Sequence, residues 1–382
     1  MGMTTDRPDV IRGLEDVYVK ESRLCLVDGI KGRLLYVGYD IRDLAEHSTF
    51  EETAYLLWNG RLPRRDELDT IRRALGDERK VPKEIVSLLK GLPKATVPID
   101  ALRTAISAMA AFDPELADQA RDANLRKALR LTAKTATLVA AIERLRSGRR
   151  PVPPDPDLGH AEDFLRMLFG KSPDAFEAKV LDVALILHAD HSLAASTFAA
   201  TVAASTLADV YATVVAGLAA FKGPLHGGAN EQAVNMLLKI GNPANAEAYI
   251  EKALARGEKI PGFGHRVYKT FDPRAVILKD YAKKLAERSG DMKLQETALA
   301  VEEVMLRELS GKRVYPNVDF WAGVTYYLLG LPPELFTPIF AVARMAGWTA
   351  HVIEYRQTNK IIRPLDYYIG PTDATYVPVD RR

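Results

Sequence analysis

Between His191 and Phe221 the chain carries a single charged side chain, Asp209, and is built from Ala, Ser and Thr rather than Leu and Ile. Residues this small and hydroxylated do not make a membrane span. They read instead as one or two helices buried on most sides, with small side chains that let neighbouring helices approach closely. A chain of 382 residues, 47% hydrophobic and 27% charged, can supply those neighbours. It is long enough for two domains or one large one around a substantial core.

Most of the remaining chain has helical patterning. Val17 to Tyr36 is the main β-like region: Val17-Tyr18-Val19, Leu24 to Val27 and Leu34 to Val37 surround Asp28-Gly29 and Lys31-Gly32, which predicts short strands joined by a turn. Thr49-x-x-Glu52 reads as a capping box before Ala54, Leu56, Leu57 and Trp58, with Gly60 as the stop. Asp100 is positioned to cap a helix ending before Asp113-Pro114, and Leu125 to Leu145 continues as a long helix. Arg149 to Asp157 holds four prolines and reads as an exposed loop within one domain, because the same helical patterning resumes at Ala161. The fold class expected is mainly α, helix packed on helix, with a small N-terminal β-hairpin region.

A net charge of +2, with basic residues spread along the chain, argues against a nucleic-acid partner. The lone Cys25 forms no internal disulfide, and Met1 to Asp9 is polar without a signal-peptide core, so a cytoplasmic location is expected. Only 12 residues are Asn or Gln, a lean towards a thermophilic source.

Four separated segments concentrate chemistry. His188-Ala189-Asp190-His191 places two histidines three apart, which on a helix would share a face and could suit a metal or a structural pair. No Cys or Glu stands nearby to complete a ligand set, so no metal is assigned. Gly223-Pro224-Leu225-His226-Gly227-Gly228-Ala229-Asn230 sets a histidine among glycines before a helix start, where free N–H groups favour an oxyanion. Pro261 to Arg274 carries Gly262 and Gly264, then His265, Arg266, Lys269 and Arg274, a proton donor or acceptor among cations that grip anions. Tyr315-Pro316-Asn317-Val318-Asp319-Phe320 puts an Asp among apolar neighbours, as a helix cap or as a base tuned by desolvation.

Together these strings resemble the citrate synthase family. Gly-Pro-Leu-His-Gly-Gly-Ala-Asn at 223–230, Gly-Phe-Gly-His-Arg-Val-Tyr at 262–268 and Pro-Asn-Val-Asp-Phe at 316–320 are three of its signatures in the family's order. Val27 to Ile41, Leu102 to Pro114, 188–191, Ala343 to His351 and Ile362-Arg363-Pro364 extend the match over nearly the whole chain. The resemblance implies a two-domain helical fold, with residues 1–218 and 320–382 forming a large dimerisation domain and 219–319 a small one that binds CoA. It implies condensation of oxaloacetate with acetyl-CoA, used as a co-substrate with no tightly bound cofactor, and hydrolysis of the thioester to citrate.

By the same resemblance Asp319 is the base, His226 hydrogen-bonds the thioester oxygen and His265 polarises the oxaloacetate ketone. His191, Arg274 and Arg344 hold oxaloacetate, joined by Arg363 from the second subunit of a homodimer. The turn Ile260, Pro261, Gly262, Phe263 and Gly264 takes the CoA adenine, with Lys259, Arg266, Lys269 and Lys312 as phosphate contacts and Asn317 on the pantetheine arm. Two departures adjoin the site: Ser192-Leu193-Ala194, where the family often has an acidic residue and then Asn or Pro, and Trp321-Ala322-Gly323, where it has Tyr-Ser-Gly. Neither removes a catalytic group, but both leave open a 2-methylcitrate synthase using propionyl-CoA. A non-catalytic CoA or dicarboxylate sensor of the same fold is the alternative of another class, and such a sensor would have no need of Asp319.

Overall fold

The structure, a computed structural model, describes residues 9–382, so all of the polar Met1 to Asp9 except its last residue lies outside the described residues. Among the described residues, three short antiparallel strands, β1 (Cys25–Asp28), β2 (Arg33–Tyr36) and β3 (Tyr39–Asp40), precede sixteen α-helices. β1 pairs with β2 in the register Cys25 to Tyr36, turning through Asp28, whose carboxylate accepts the amides of Ile30 and Lys31. Val17-Tyr18-Val19 is not a strand. Tyr18 is 98% exposed, and the next residues are tied to a helix near the C-terminus through Lys20 and Arg23.

After α1 (Ile41–His47), the helices α3 (Arg65–Asp77), α4 (Lys83–Gly91) and α5 (Pro98–Met109) pack against the long α6 (Arg121–Arg146). Thr49 caps α2 (Phe50–Asn59) through the Glu52 amide, but the Glu52 carboxylate takes the Ser48 hydroxyl instead of closing the box. The helix α5 begins two residues before Asp100, because Pro98 fits a first helical turn whose amides have no partner. Residues 149–157 are a loop, held by Arg79, which donates to Asp155 O and pairs with buried Asp163.

Next come α7 (His160–Phe169), α8 (Ala175–His188), α9 (Ala195–Ser205) and α10 (Val210–Phe221). The Ala/Ser/Thr stretch is thus two helices packed on each other and on α16 (Phe336–Tyr355). The approach is close: a Cβ on Gly217 would meet the Trp348 ring at 3.3 Å and Ser196 O at 3.4 Å. The helices α11 (Ala229–Ile240), α12 (Ala246–Ala255), α13 (Pro273–Ser289), α14 (Lys293–Glu308) and α15 (Val318–Leu328) follow, and the other motifs lead into α11, α13 and α15. Nearly all of α16 is buried, from Phe336 to Ile353, so it is the spine of the core. Among the described residues no helix is long and apolar enough to cross a membrane.

Candidate active site

The four chemical segments converge through helix ends. α8 stops at His188, so His188 and His191 do not share a helical face; His191 stands on the turn beyond. His188 is fully buried and stacks edge-on against Phe340, its carbonyl accepting Arg344 Nε at 2.8 Å. His191 lies 5.2 Å from the His265 ring, with Nε2 3.3 Å from the Tyr268 hydroxyl.

His226 precedes α11 and reaches α9, where its Nε2 is 2.8 Å from Ser196 Oγ. Trp348 Nε1 donates to that hydroxyl at 3.1 Å, and the Ser196 amide also points at Nε2. A nitrogen receiving two donors is an acceptor, which leaves the ring proton on Nδ1. His265 has the opposite arrangement. Its Nδ1 accepts the amides of Val267 and Tyr268, both at 3.0 Å, so Nε2 carries the proton. Burial first, then Arg344, lowers His226 to about 4; burial, then Arg274, lowers His265 to about 4. Both rings are therefore neutral N–H donors at pH 7.

Arg274 and Arg344 are both buried but differently satisfied. Arg274 makes two parallel bonds to Asp272, at 3.0 and 2.8 Å, and Asp272 also accepts the Val318 amide at the start of α15. Burial pulls Arg274 down, but the Asp272 carboxylate outweighs it and holds the guanidinium above its ordinary range. Arg344 has no such partner. Burial lowers it, Asp190 compensates only in part, and Nη1 is buried without an acceptor. An unpaired buried guanidinium favours an incoming anion.

Asp319 lies at the second position of α15, whose cap is Asn317, not Asp319 itself. Burial raises its carboxyl to about 6, with Arg274 and Arg344 opposing and Asp272 adding to the rise. Arg344 thus acts electrostatically on His226, His191 and Asp319 alike, and Arg274 on His265, His191 and Asp319. The arrangement offers two N–H donors, one poised carboxylate and two buried cations.

Backbone pairing zips the turn at Ile260–Gly264 to the segment before Asp319. Phe263 bridges Pro316, Gly264 N donates to Tyr315 O, and Asn317 N donates to Gly262 O, each hydrogen bond 2.9 Å. Asn317 Nδ2 also donates to Gly264 O at 2.8 Å. Gly262 has φ +80, and a Cβ there would lie 2.7 Å from Phe320 Cβ, so only glycine fits. Lys259 and Lys312 are exposed near this zipper; Arg266 lies 3.6 Å from Glu15, and Lys269 Nζ donates to Arg266 O. Arg363 is exposed on the C-terminal segment and joins none of these contacts. Ser196, Trp348, Tyr268 and Asp272 are the members that motif reading misses. Two of them leave a signal: Tyr268 ends the 262–268 string, and Asp272 stands two residues before Arg274 at a helix start.

A helical protein that gathers neutral imidazole donors, a raised carboxyl and buried arginines defines an acid–base site for anionic carbonyl compounds. The family model "Citrate synthase, C-terminal domain" matches residues 13–365, and the chain belongs to the citrate synthase family. It is 47% identical to citrate synthase 2 of Bacillus subtilis over 97% of this chain and 99% of that one. A 2-methylcitrate synthase of Mycobacterium tuberculosis is 41% identical over 96% of this chain and 92% of its own. The crystal structure of citrate synthase from Pyrobaculum aerophilum superposes with a TM-score of 0.92 at 44% identity, covering 98% of this chain and 95% of that one. The ternary complex of carboxymethyl coenzyme A and oxaloacetate with citrate synthase from Thermoplasma acidophilum gives a TM-score of 0.93 at 36% identity, covering 97% of this chain and 99% of that one.

Proposed function

We propose that the protein condenses acetyl-CoA with oxaloacetate and hydrolyses the resulting thioester to citrate. The observation that carries this reading is the opposite tautomers of two neutral histidines that share the fields of Arg344 and Arg274 with one raised carboxyl. Removing a proton from the methyl group of a thioester needs a carboxylate base and a donor at the developing enolate oxygen. Asp319 is the base and His226 Nδ1–H the donor. His265 Nε2–H then polarises the ketone, and an aligned donor of this kind contributes roughly 10²–10³ in rate. Arg344, Arg274 and His191 hold the oxaloacetate carboxylates. The zipped turn holds CoA, with Lys259, Arg266, Lys269 and Lys312 on its phosphates. Residues 219–319 move as a small domain, and oxaloacetate, touching both sides, favours the closed form. Thiol release from acetyl-CoA, with and without oxaloacetate, tests the reading: release only with oxaloacetate is expected, and none in either case would refute it. Faster release from propionyl-CoA would favour the methylcitrate reaction instead.

The active form is a homodimer in which Arg363 enters the partner's site. Supporting this, the C-terminal segment leaves Leu365 87% and Ile369 82% exposed, apolar surface that its own chain does not cover. Inactive Asp319→Asn and Arg363→Ala subunits, mixed and re-paired, should recover about a quarter of wild-type activity, the fraction of intact pockets under random pairing. Zero recovery in proven heterodimers would place Arg363 in its own chain's pocket.

A further inference from the structure

Behind His191 a chain of contacts runs away from the substrate side to the N-terminal segment. The turn after α8 is held at several points. Ser192 has φ +54, a left-handed conformation unfavourable for a residue with a side chain, and its amide donates to Asp190 Oδ2 at 3.3 Å. The Tyr36 hydroxyl meets both the carbonyl and the amide of Asp190, at 2.8 and 3.1 Å. Gly347 N donates to Ala189 O, and a Cβ on Gly347 would lie 2.6 Å from Asp190 Oδ1.

Besides the Cys25 side chain, the Asp190 carboxylate meets His351 of α16, 1% exposed, with Nε2 3.1 Å from Oδ2. Lys20 Nζ lies 2.8 Å from His351 Nδ1. An ammonium only donates, so Nδ1 accepts and the ring proton sits on Nε2, aimed at Asp190. Lys20 is anchored in turn by Glu354 Oε2 at 2.9 Å, and Glu354 Oε1 takes the Arg23 amide. Burying a lysine, a histidine and a carboxylate in one line is a poor way to gain stability alone, since apolar side chains would fill the space without desolvating charge. The line is directional: it selects one tautomer and ends on the turn that presents His191.

We propose that His351, with its tautomer set by Lys20, is a positioning residue for His191 and for Arg344. Its Nε2–H holds Asp190 in the conformation that supports the Ser192 turn. It also engages the carboxylate beside Arg344 that would otherwise be free to compete with the substrate for that guanidinium. The assignment of effect rests on the reading of His191 and Arg344 as oxaloacetate ligands.

Two substitutions separate the two ring nitrogens. His351→Gln places an amide donor near the Nε2 position and keeps the bond to Asp190. His351→Asn keeps an acceptor for Lys20 and loses the donor to Asp190. In the full-length protein, His351→Asn should raise the KM for oxaloacetate about tenfold or more, the loss of a bond to a buried charge, with the KM for acetyl-CoA unchanged and His351→Gln close to wild type. Hydrogen–deuterium exchange of the peptide spanning 188–192 should accelerate in His351→Asn and not in His351→Gln. Lys20→Met, at the far end of the line, should raise the same KM and guards against a His351 variant that fails to fold. Equal effects of Asn and Gln would reduce His351 to packing and overturn the proposal, as would wild-type KM and exchange in His351→Asn and Lys20→Met. If the wild-type protein did not condense the two substrates, the proposed function would fall, while the exchange of residues 188–192 would still decide whether His351 holds the turn.

Discussion

Asp319→Asn is expected to lower kcat by roughly 10²–10⁴-fold while oxaloacetate still binds, because the lost carboxylate acts only on the thioester partner. The variant should not be less stable. Burial holds the Asp319 carboxyl at about 6, above its usual value near 4, so the folded state binds this proton more tightly than the unfolded chain. Its contribution to stability is therefore fully present below about pH 4 and is lost as the pH rises through about 6. An amide, which never ionises, escapes that loss. The same shift sets the activity profile: turnover should fall as the pH drops through about 6 and the base is protonated. Near-native turnover in Asp319→Asn, measured by thiol release, would exclude Asp319 as the base. Calorimetric titration of oxaloacetate and a thermal melt complete the test.

The two buried arginines should respond differently to removal. Arg274→Leu should both weaken oxaloacetate binding and lower the melting temperature. It strands the buried Asp272 carboxylate, and breaking a buried pair from one side costs about 3–5 kcal/mol. Arg344→Leu should weaken oxaloacetate by about tenfold to a hundredfold, the worth of a charge-assisted bond, with a much smaller effect on the melt. Its guanidinium bonds only the His188 carbonyl and is destabilised by burial in the free protein. Equal melting temperatures for the two variants would contradict the distinction drawn between a paired and an unpaired arginine. Unchanged oxaloacetate affinity in Arg344→Leu would remove it from the site.

Helix positions are legible here where periodicity and punctuation agree. Gly60 in the left-handed conformation ends α2, and Asp28 organises the β1–β2 turn, both as local rules require. The failures share a cause: a local string was given a role that a distant partner takes over. Val17-Tyr18-Val19 has strand composition, but Lys20 and Arg23 commit the following residues to Glu354, more than 330 positions away. His188 and His191 have helical spacing, but the helix ends between them. Within the site, the glycine–histidine strings are visible because each lies in one short segment. The residues that fix the His226 tautomer are not, since Ser196 is 30 positions from His226 and Trp348 lies 152 from Ser196. The pairing of Phe263 with Pro316 is equally invisible, because backbone hydrogen bonds leave no mark on residue type.

The tight seam at Gly217 restricts how this chain can drift or be redesigned. An extra methyl group there would press at once on the Trp348 ring and on the carbonyl of Ser196, the two residues that orient His226. A variant library aimed at filling space between α9 and α10 would therefore be filtered by turnover before it was filtered by folding. The tolerated alphabet at this position is set, through Ser196 and Trp348, by the ring proton of His226.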